Sequence, residues 1–333
     1  MGICRTGSSS AVGAARIGLT GLLLAASLPA LSQSYPAKPV RLITQFSAGS
    51  SGDTLLRTFA QPFSEILGQP LIVENQAGAG GIVAAQQIAR SAPDGYNLLG
   101  GTSATQVIRR FMSKTMPFDP ARDFTPISQL IESTTVIVAA PSLPAGNLRD
   151  LIAYAKANPG KIAFGTSGVG SEHHLSGEQI AQITGAQMVH VPYKASLQAL
   201  LDTAADRLPM SFAILSVALP QVKAGKVRFI AVVGEKRSAR LPDVPSIAEV
   251  VPGFEPPPSW VGILGPAKMP APLLARISAD IIKAMNLPET RQKLEAQMLD
   301  VVASTPEEFA AKIRRQTDLV SRIVKGAGIE PTE

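Results

Sequence analysis

Short apolar runs alternate with segments of helical periodicity from residue 40 onward. The run at 40–45 predicts a buried strand, and the apolar residues from Leu55 to Leu67 recur at helical spacing before Gly68 ends the pattern. A strand at 71–74, a helix at 82–90 and a strand at 96–101 are predicted next. Because strands separated by helices of this length pair in parallel through right-handed crossovers, the pattern predicts an α/β sheet.

A second series of the same kind begins near residue 136. It predicts strands at 136–139, 162–164, 189–191, 210–212 and 227–233, and helices at 148–157, 171–183 and 197–204. The segment 116–120, between the two series, has no regular pattern. A run of prolines at 256–258 precedes another predicted strand at 259–264, and the rest of the chain is mainly helical, with a capping signal at 305–308.

The first 32 residues have a different character. Arg5 and Arg16 precede an apolar stretch, 17–26, that is too short to span a bilayer as a stable helix, and residues 30–32 have the small-x-small pattern that signal peptidases cut. We therefore predict a secretory signal peptide over residues 1–32 and a mature protein that begins at about Gln33. An uncleaved membrane anchor is the alternative.

Composition narrows the function further. The single cysteine, Cys4, lies in the predicted signal peptide, so the mature chain would have no disulfides and no thiol chemistry. Without Arg5 and Arg16, the 31 basic residues fall to 29, against 25 acidic residues. This small excess is compatible with an anionic ligand, but no basic tract or nucleic-acid-binding motif accompanies it.

Gly/Ser-rich segments follow three of the predicted strands, at 46–53, 100–105 and 165–171. In open α/β sheets, ligands bind beyond the carboxyl ends of the strands, where such loops lie. The loop at 49–53 lacks the lysine of a Walker motif, and those at 78–83 and 168–170 lack the last glycine of a dinucleotide fingerprint. The loop at 165–169 lacks the glycine frame of a nucleophile elbow.

The three histidines, His173, His174 and His190, leave two alternatives open. One is a serine hydrolase that uses Ser167 or Ser171 with a nearby histidine, although no motif supports it. The other is a zinc site, but adjacent histidines on a helix point about 100° apart and zinc needs at least three convergent ligands. The favoured interpretation is that Ser171 caps the helix, one histidine lines a cleft and the other is solvated.

Anion binding by backbone N–H groups is the interpretation that remains for the loops. Ser50 and Asp53 have the spacing of a capping box at the start of the first helix. Several capped helices directed at one cleft would present free N–H groups and the positive ends of helix dipoles. Such a site would hold a carboxylate without lysine or arginine.

Short motifs along nearly all of the mature chain occur together in one known family. They are YPAKPVR at 35–41, GQPLIVEN at 68–75, GAGG at 78–81, APDGY at 92–96, MPFDP at 116–120, VPYK at 191–194, LPDVPS at 241–246 and TPEEF at 305–309. In these motifs the chain resembles the substrate-binding receptors of tripartite tricarboxylate transporters, the Bug or TctC family. The resemblance implies a periplasmic receptor that is not an enzyme, closes on a small carboxylate and delivers it to the permease subunits in the membrane.

The resemblance also implies where the ligand binds. The loop at 46–53 is expected to meet the loop at 165–174 across a cleft, and the two hold carboxylates through N–H groups, hydroxyls and ordered water. We expect no cofactor, no metal and no nucleic acid, and we expect a monomer. The expected ligand-binding residues are Phe46, Ser47, Gly49, Ser50, Asp53, Thr102, Ser103, Ser167, Gly168, Gly170, Ser171, His174, Tyr193 and Ala213.

Two departures from the family pattern bear on specificity. Where the family commonly has Pro-Gly-Gly in the first loop, this chain has Ala48-Gly49-Ser50, which adds a hydroxyl. Where family members often have Phe-Asp-Asn, this chain has Phe212-Ala213-Ile214, which removes a carboxylate that could pair with a ligand ammonium. We therefore expect a preference for carboxylates with an apolar or neutral remainder over zwitterionic amino acids. The alternative is that Ala213 lies outside the pocket.

The predicted fold is an α/β, two-domain, periplasmic-binding-protein-like clamp of type II. Each domain is expected to be a mixed, mainly parallel sheet flanked by helices, with residues 35–136 and 259–333 in the first domain and 137–258 in the second. Two crossings between the domains would form a hinge that allows closure. Two alternatives to a transport receptor are a secreted serine hydrolase that acts on carboxylate esters and a sensing partner of a membrane kinase.

Overall fold

The computed structural model describes residues 35–331, so the predicted signal peptide lies outside the described residues. Within this range the chain forms two sheets. The strands are β1 (Val40–Thr44), β2 (Leu71–Asn75), β3 (Asn97–Thr102), β4 (Phe124–Ser133), β5 (Thr135–Ala139), β6 (Ile162–Thr166), β7 (Met188–Pro192), β8 (Met210–Ile214), β9 (Arg228–Val233), β10 (Trp260–Pro266) and β11 (Leu299–Val301). The first sheet has the order β11-β4-β10-β3-β1-β2 and the second the order β7-β6-β8-β5-β9.

Helices connect most of these strands. They are α1 (Ser51–Leu67), α2 (Ile82–Ala89), α3 (Arg109–Met112), α4 (Leu148–Ala157), α5 (Glu172–Thr184), α6 (Ser196–Ala204), α7 (Leu215–Lys223), α8 (Ile247–Val250), α9 (Ala271–Met285), α10 (Pro288–Ala296) and α11 (Pro306–Gly326). A 3-10 turn, Ala79–Gly81, precedes α2, and a π-helical turn, Ala104–Ile108, precedes α3. The capping signal at 305–308 is confirmed, because Thr305 and Glu308 form a complete capping box.

Most strands of each sheet run in one direction. In the first sheet, β1, β2, β3 and β4 run one way and β10 and β11 run the other. In the second sheet, β5 opposes β6, β7, β8 and β9. Each sheet is therefore mixed, with four parallel and five antiparallel pairings among the described strands, and the predicted α/β fold class is confirmed.

The chain passes between the two sheets twice. It leaves the first sheet at Ser133, the end of β4, and enters the second at Thr135, the start of β5. It returns at Trp260, where β10 inserts between β3 and β4. The strand contents of the two sheets follow the predicted division of the chain, although the domain boundaries at 136–137 and 258–259 stay a prediction.

The hydrophobic core occupies both faces of the second sheet. Alternate residues of β5 point to opposite faces, because side chains alternate along a strand. Ile137 and Ala139 belong to a core cluster with residues of α4, α5 and α8, whereas Val136 and Val138 belong to another with residues of α6 and α7. A further cluster contains residues of the first sheet, α2 and α11 and also Leu175 of α5, so α5 packs against the first sheet's elements.

Candidate functional site

The first candidate loop joins β1 to α1. Ser50 is the N-cap of α1, and its hydroxyl accepts a hydrogen bond from the Asp53 N–H at 3.3 Å. The predicted capping box is only half formed, because the Ser50 N–H already donates to the Ser47 carbonyl and the Asp53 carboxylate bonds Gly49 instead. Gly49 has a φ of +77°, in the left-handed region where glycine has no steric penalty.

The carboxylate of Asp53 anchors this loop from the inside. Asp53 is buried, and its carboxylate accepts from the Gly49 N–H at 2.8 Å, Asn75 Nδ2 at 2.7 Å and Arg57 Nε at 3.0 Å. Burial alone would raise the pKa of this carboxyl group, but the hydrogen bonds from Arg57, Asn75 and Gly49 together lower it to about 2. Asp53 therefore shapes the loop and has its charge compensated within it.

The start of α1 retains unused donors. The N–H groups of Ala48, Ser51 and Gly52 have no acceptor among residues 35–331. The ring of Phe46 lies against Gly52, since a Cβ atom at Gly52 would come within 2.4 Å of that ring. Phe46 and Ser50 are half-buried and Ser47 and Gly49 are exposed. The loop thus offers N–H groups at a helix N-terminus, where an anion is stabilised.

The second candidate loop joins β6 to α5 and has a similar cap. Ser171 is the N-cap of α5; its hydroxyl accepts from the His174 N–H at 3.2 Å and donates to the Gly168 carbonyl at 2.7 Å. The N–H groups of Val169, Glu172 and His173 have no acceptor in the described part of the chain. This loop therefore also presents donors at the N-terminus of a helix. No hydrogen bond or ion pair joins the two loops within residues 35–331.

His173 and Ser167 form a hydrogen-bonded pair beneath the second loop. Ser167 Oγ lies 3.0 Å from His173 Nδ1, and His173 is 1% exposed. Burial lowers the pKa of His173, although Glu172 opposes the shift. The other ring nitrogen, Nε2, has no hydrogen-bond partner within residues 35–331, and Glu172 Oε1 is 3.6 Å away. The pair therefore lacks the third group that orients the base in a catalytic triad.

His174 supports the same loop from a second direction. Its Nδ1 accepts from the Gly170 N–H at 3.0 Å, and its ring stacks on His190 with 3.8 Å between centroids. His190 Nε2 lies 2.6 Å from Thr166 Oγ1, which also accepts from the Gly168 N–H. Burial and the nearby His174 ring lower the pKa of His190 to about 4, although Glu178 opposes the shift. His174 therefore contacts the loop at Gly170, and His190 contacts it through Thr166.

The expectation that one of His173 and His174 is solvated is wrong, because both are buried, with 1% and 6% of their surface exposed. The reason is that α5 packs on both sides: its residues contribute to the core of the second sheet and, through Leu175, to the cluster beside α11. His174 therefore acts on the loop through Gly170. The expectation that one of the two histidines lines a cleft stays a prediction.

Thr102, Ser103 and Tyr193 have their polar groups engaged within the protein. The Ser103 hydroxyl donates to the Pro258 carbonyl and accepts from the Trp260 N–H, and Thr102 Oγ1 accepts from the Thr105 N–H. The Tyr193 hydroxyl donates to Asp202 Oδ2 at 2.9 Å. Burial, followed by this hydrogen bond, raises the pKa of Tyr193. Ser103 thus fixes the return of the chain to the first sheet.

Ala213 is a core residue. Its side chain has no exposed surface and belongs to the cluster formed with Val136, Leu200 and Ala218 on one face of the second sheet. The expectation that Ala213 lines the ligand pocket is therefore wrong, because its position in β8 directs the side chain to the face covered by α6 and α7.

Two residues that the sequence did not single out support the first loop. Asn75 Nδ2, at the end of β2, donates to the Phe46 carbonyl and to Asp53, and Gln45 Oε1 accepts from Thr105 Oγ1 at 2.5 Å. Asn75 is the last residue of β2 and Gln45 directly follows β1, so both lie at the carboxyl end of a strand. That position is the signal by which they could be found, once the strand order is known.

No group of three or more His, Cys, Asp or Glu side chains within 35–331 is arranged to hold a metal ion. No helix in the same range combines the length and the apolar character needed to cross a bilayer.

Two mixed α/β sheets joined by two crossings, with serine-capped helices after their strands, define a periplasmic-binding-protein-like receptor. Residues 55–329 match the model of the tripartite tricarboxylate transporter family receptor, TctC, and the chain belongs to that family. Protein BugT of Bordetella pertussis (strain Tohama I) is 30% identical over 302 residues, which are 90% of this chain and 92% of BugT. The resemblance noted from the motifs is therefore confirmed.

Two similar solved structures contain small acids. R. palustris Rpa4515 with adipate has a TM-score of 0.76 and 31% identity, and the match covers 90% of this chain and 100% of that chain. MatC (Rpa3494) of Rhodopseudomonas palustris with bound malate has a TM-score of 0.71 and 25% identity, with coverage of 87% and 100%. Both adipate and malate are dicarboxylates.

Proposed function

We propose that this chain is a periplasmic solute-binding receptor that captures a small carboxylate between the loops at 46–53 and 165–174. It then hands the ligand to the membrane subunits of a tripartite tricarboxylate-type transporter. The observation that carries the proposal is the pair of serine-capped helix N-termini, α1 and α5, whose first N–H groups have no acceptor within residues 35–331. Hydrogen bonds from such groups to an ionised carboxylate are short and strong.

The domain division and the export of the chain are parts of the same proposal. Residues 35–136 with 259–333, and residues 137–258, act as two domains that close on the ligand about the two crossings. The distribution of strands between the two sheets supports this division. Residues 1–32 act as a cleavable signal peptide, and the mature receptor is a monomer in the periplasm. Family membership supports the location and the transporter.

The ligand class we propose is a dicarboxylate without an ammonium group. The adipate and malate bound by two similar proteins support this class. Within the first loop, the carboxylate of Asp53 is already compensated by Arg57 and two other donors, so it offers no free charge to a ligand ammonium. Ala213, a core residue, contributes nothing to this preference. In a calorimetric panel, adipate and malate should bind about tenfold or more tightly than aspartate and glutamate, a difference of about 1.4 kcal/mol.

A proline substitution tests the backbone donors directly. Ser51 is the first residue of α1, where proline is well tolerated, and the Ser51→Pro variant loses the N–H group while the helix remains. The chain itself has proline at the equivalent place in α11, after a cap, Thr305, with φ −70° and ψ 164°, against −70° and 165° at Ser50. We expect Ser51→Pro to weaken dicarboxylate binding by about tenfold or more, since a hydrogen bond to a charged group contributes roughly 1.5–3 kcal/mol.

The matched control is Ser51→Ala, which removes the hydroxyl and keeps the N–H group. It should bind the dicarboxylate as the unmodified protein does. Equal affinities for Ser51→Pro and Ser51→Ala, with both variants folded by circular dichroism, would contradict the proposed role of the α1 N-terminus. Glu172→Pro is the corresponding change at the start of α5.

The hydrogen bond between Ser167 and His173 makes a serine hydrolase the second candidate. His173 Nε2 has no partner in the described part of the chain, so no third group orients the ring for base catalysis. We therefore propose that the receptor is not an enzyme. The purified protein should release no p-nitrophenol from p-nitrophenyl esters above the rate of Ser167→Ala; turnover that disappears in Ser167→Ala would support the hydrolase.

A further inference from the structure

A cavity lies apart from the two loops, beside α11 and the π-helical turn Ala104–Ile108. Its volume is about 370 Å³, and none of its lining residues belongs to the loops at 46–53 or 165–174. Its apolar wall includes Phe124, Leu264 and Ile313, and its polar groups include Gln106, Arg110 and Arg314. A largely apolar wall with a few polar groups, in this range of volumes, is the general character of a small-molecule site.

Gln106 is the unusual member of this lining. It is 2% exposed, and neither its amide nitrogen nor its amide oxygen has a hydrogen-bond partner within residues 35–331. Buried amides are nearly always paired, so an unpaired one in a native protein points to a ligand or an ordered water. Gln106 also lies in the π-helical turn, and such turns occur frequently at functional sites. Its side chain offers one donor edge and one acceptor edge together, which match a carboxamide.

Two arginines add positive charge to the cavity lining. Neither Arg110 nor Arg314 forms an ion pair with any residue of 35–331; the guanidinium of Arg110 lies 5.7 Å from the ring centroid of Phe111. Asp318, four residues after Arg314, is the acidic residue of the lining. The lining therefore has an excess of one positive charge, and a ligand with one acid group would balance it.

We propose that this cavity is a second ligand site, which binds a small carboxamide that also carries a carboxylate. The apolar body of the ligand packs against Phe124, Leu264 and Ile313. Its carboxamide forms paired hydrogen bonds with the Gln106 amide, and its carboxylate lies toward Arg110 and Arg314. The site is independent of the proposed dicarboxylate site between the two loops.

Calorimetry with three matched probes tests this site. The mature protein is first saturated with adipate, and then 3-carbamoylbenzoate, benzamide or benzoate is added. We expect saturable binding of 3-carbamoylbenzoate with one site per chain, and at least about tenfold weaker binding of benzamide and benzoate, because each lacks one of the two polar groups. Absence of saturable binding, or equal binding of all three probes, would overturn the proposal.

Two substitutions locate the probe. Gln106→Leu replaces the unpaired amide with an apolar side chain of similar size and should abolish binding of 3-carbamoylbenzoate while adipate binding is unchanged. Gln179→Leu, at another buried glutamine with an unpaired oxygen that does not line this cavity, is the matched control and should bind the probe normally. Retained probe binding by Gln106→Leu would place the probe elsewhere and would overturn the proposal.

Arg314→Ala gives a readout that does not depend on changes in the core. Arg314 is exposed, so its removal should leave the fold intact. The variant should bind 3-carbamoylbenzoate about tenfold more weakly and benzamide as before, since the neutral probe makes no use of the guanidinium. An equal loss for both probes would contradict the assigned orientation. Adipate binding is measured separately from probe binding in these experiments. Failure of the carboxamide site is therefore distinguishable from failure of the dicarboxylate proposal.

Discussion

The loops that follow β1 and β6 have the same outline but are held by different chemistry. Each leads from a strand to a helix capped by serine, and each leaves N–H groups at the helix N-terminus without an acceptor in the described residues. The first loop is fixed by an ionised carboxylate, Asp53, whose charge Arg57 compensates. The second is fixed by imidazole rings and hydroxyls, chiefly His174 and Ser171. One geometry of donors can thus rest on two kinds of support.

The two supports respond to acid over different pH ranges. The folded pKa of Asp53 is depressed to about 2 from 3.8, so its contribution to stability is complete above 3.8 and is lost as the pH falls toward 2. The pKa of His190 is depressed to about 4 from 6.5, so its contribution is complete above 6.5 and is lost as the pH falls toward 4. The second loop should therefore weaken first on acidification.

The largest expected effect comes from removal of Asp53, the ionised carboxylate that fixes the first loop. Asp53→Ala removes the carboxylate that accepts hydrogen bonds from the Asn75 amide, the Gly49 N–H and the Arg57 guanidinium, and the free energy of unfolding should fall by about 3 kcal/mol. Urea unfolding at pH 7 measures this loss. Glu65→Ala removes an exposed carboxylate from the same helix and should change the stability by less than about 0.5 kcal/mol. Similar losses for the two variants would deny Asp53 its anchoring role.

A pH series gives the next largest effect. Between pH 6.5 and 4 the unfolded chain binds more protons than the folded chain at His190 and His173, so the free energy of unfolding should fall with falling pH, by roughly 2 kcal/mol. His190→Gln should flatten this limb of the profile. Asp53→Asn should keep this limb and lose the further decline below pH 4. If the profile of His190→Gln parallels that of the unmodified protein, the lowered pKa of His190 does not contribute to the loss of stability in this pH range.

Removal of the two caps gives the smallest effect and compares the loops at equivalent positions. Ser50→Ala and Ser171→Ala should each lower the free energy of unfolding by about 1 kcal/mol, as loss of an N-cap does. Ser171→Ala should cost more, because its hydroxyl also donates to the Gly168 carbonyl. Ser50→Gly should lower the free energy of unfolding by only roughly a few tenths of 1 kcal/mol. A larger loss for Ser50→Ala than for Ser171→Ala would reverse the comparison.

Local patterns in the sequence predicted most helices and strands. The helix 148–157 and the glycine stop at Gly68 follow from apolar spacing and from the left-handed conformation that Gly68 adopts, with a φ of +70°. The strand β4, Phe124–Ser133, was missed. Its pairing with β10 has two irregularities of register, and polar Ser128 and Gln129 are buried within it, so the alternation expected of a strand is interrupted.

The candidate site was predicted only where it depends on local sequence. The caps at Ser50 and Ser171 are short-range features, and both are observed. The burial of His173 and His174 depends on packing of α5 against the second sheet, where their rings stack on Phe212 of β8 and His190 of β7, and the position of Ala213 depends on which face of β8 the helices α6 and α7 cover. Such contacts join elements that are distant in the sequence, so the hydrophobic pattern of a single segment does not predict them.

The position of β10 has a consequence for biosynthesis. The hydroxyl of Ser103 bonds the Pro258 carbonyl 155 positions later, and β10 lies between β3 and β4. The strands β5 to β9 are consecutive in the chain, so the second sheet has all its strands before β10 is made. A nascent chain that stops before Trp260 exposes the unpaired edges of β3 and β4, and such edges invite aggregation. Premature termination shortly before Trp260 should therefore be more harmful than its distance from both loops suggests.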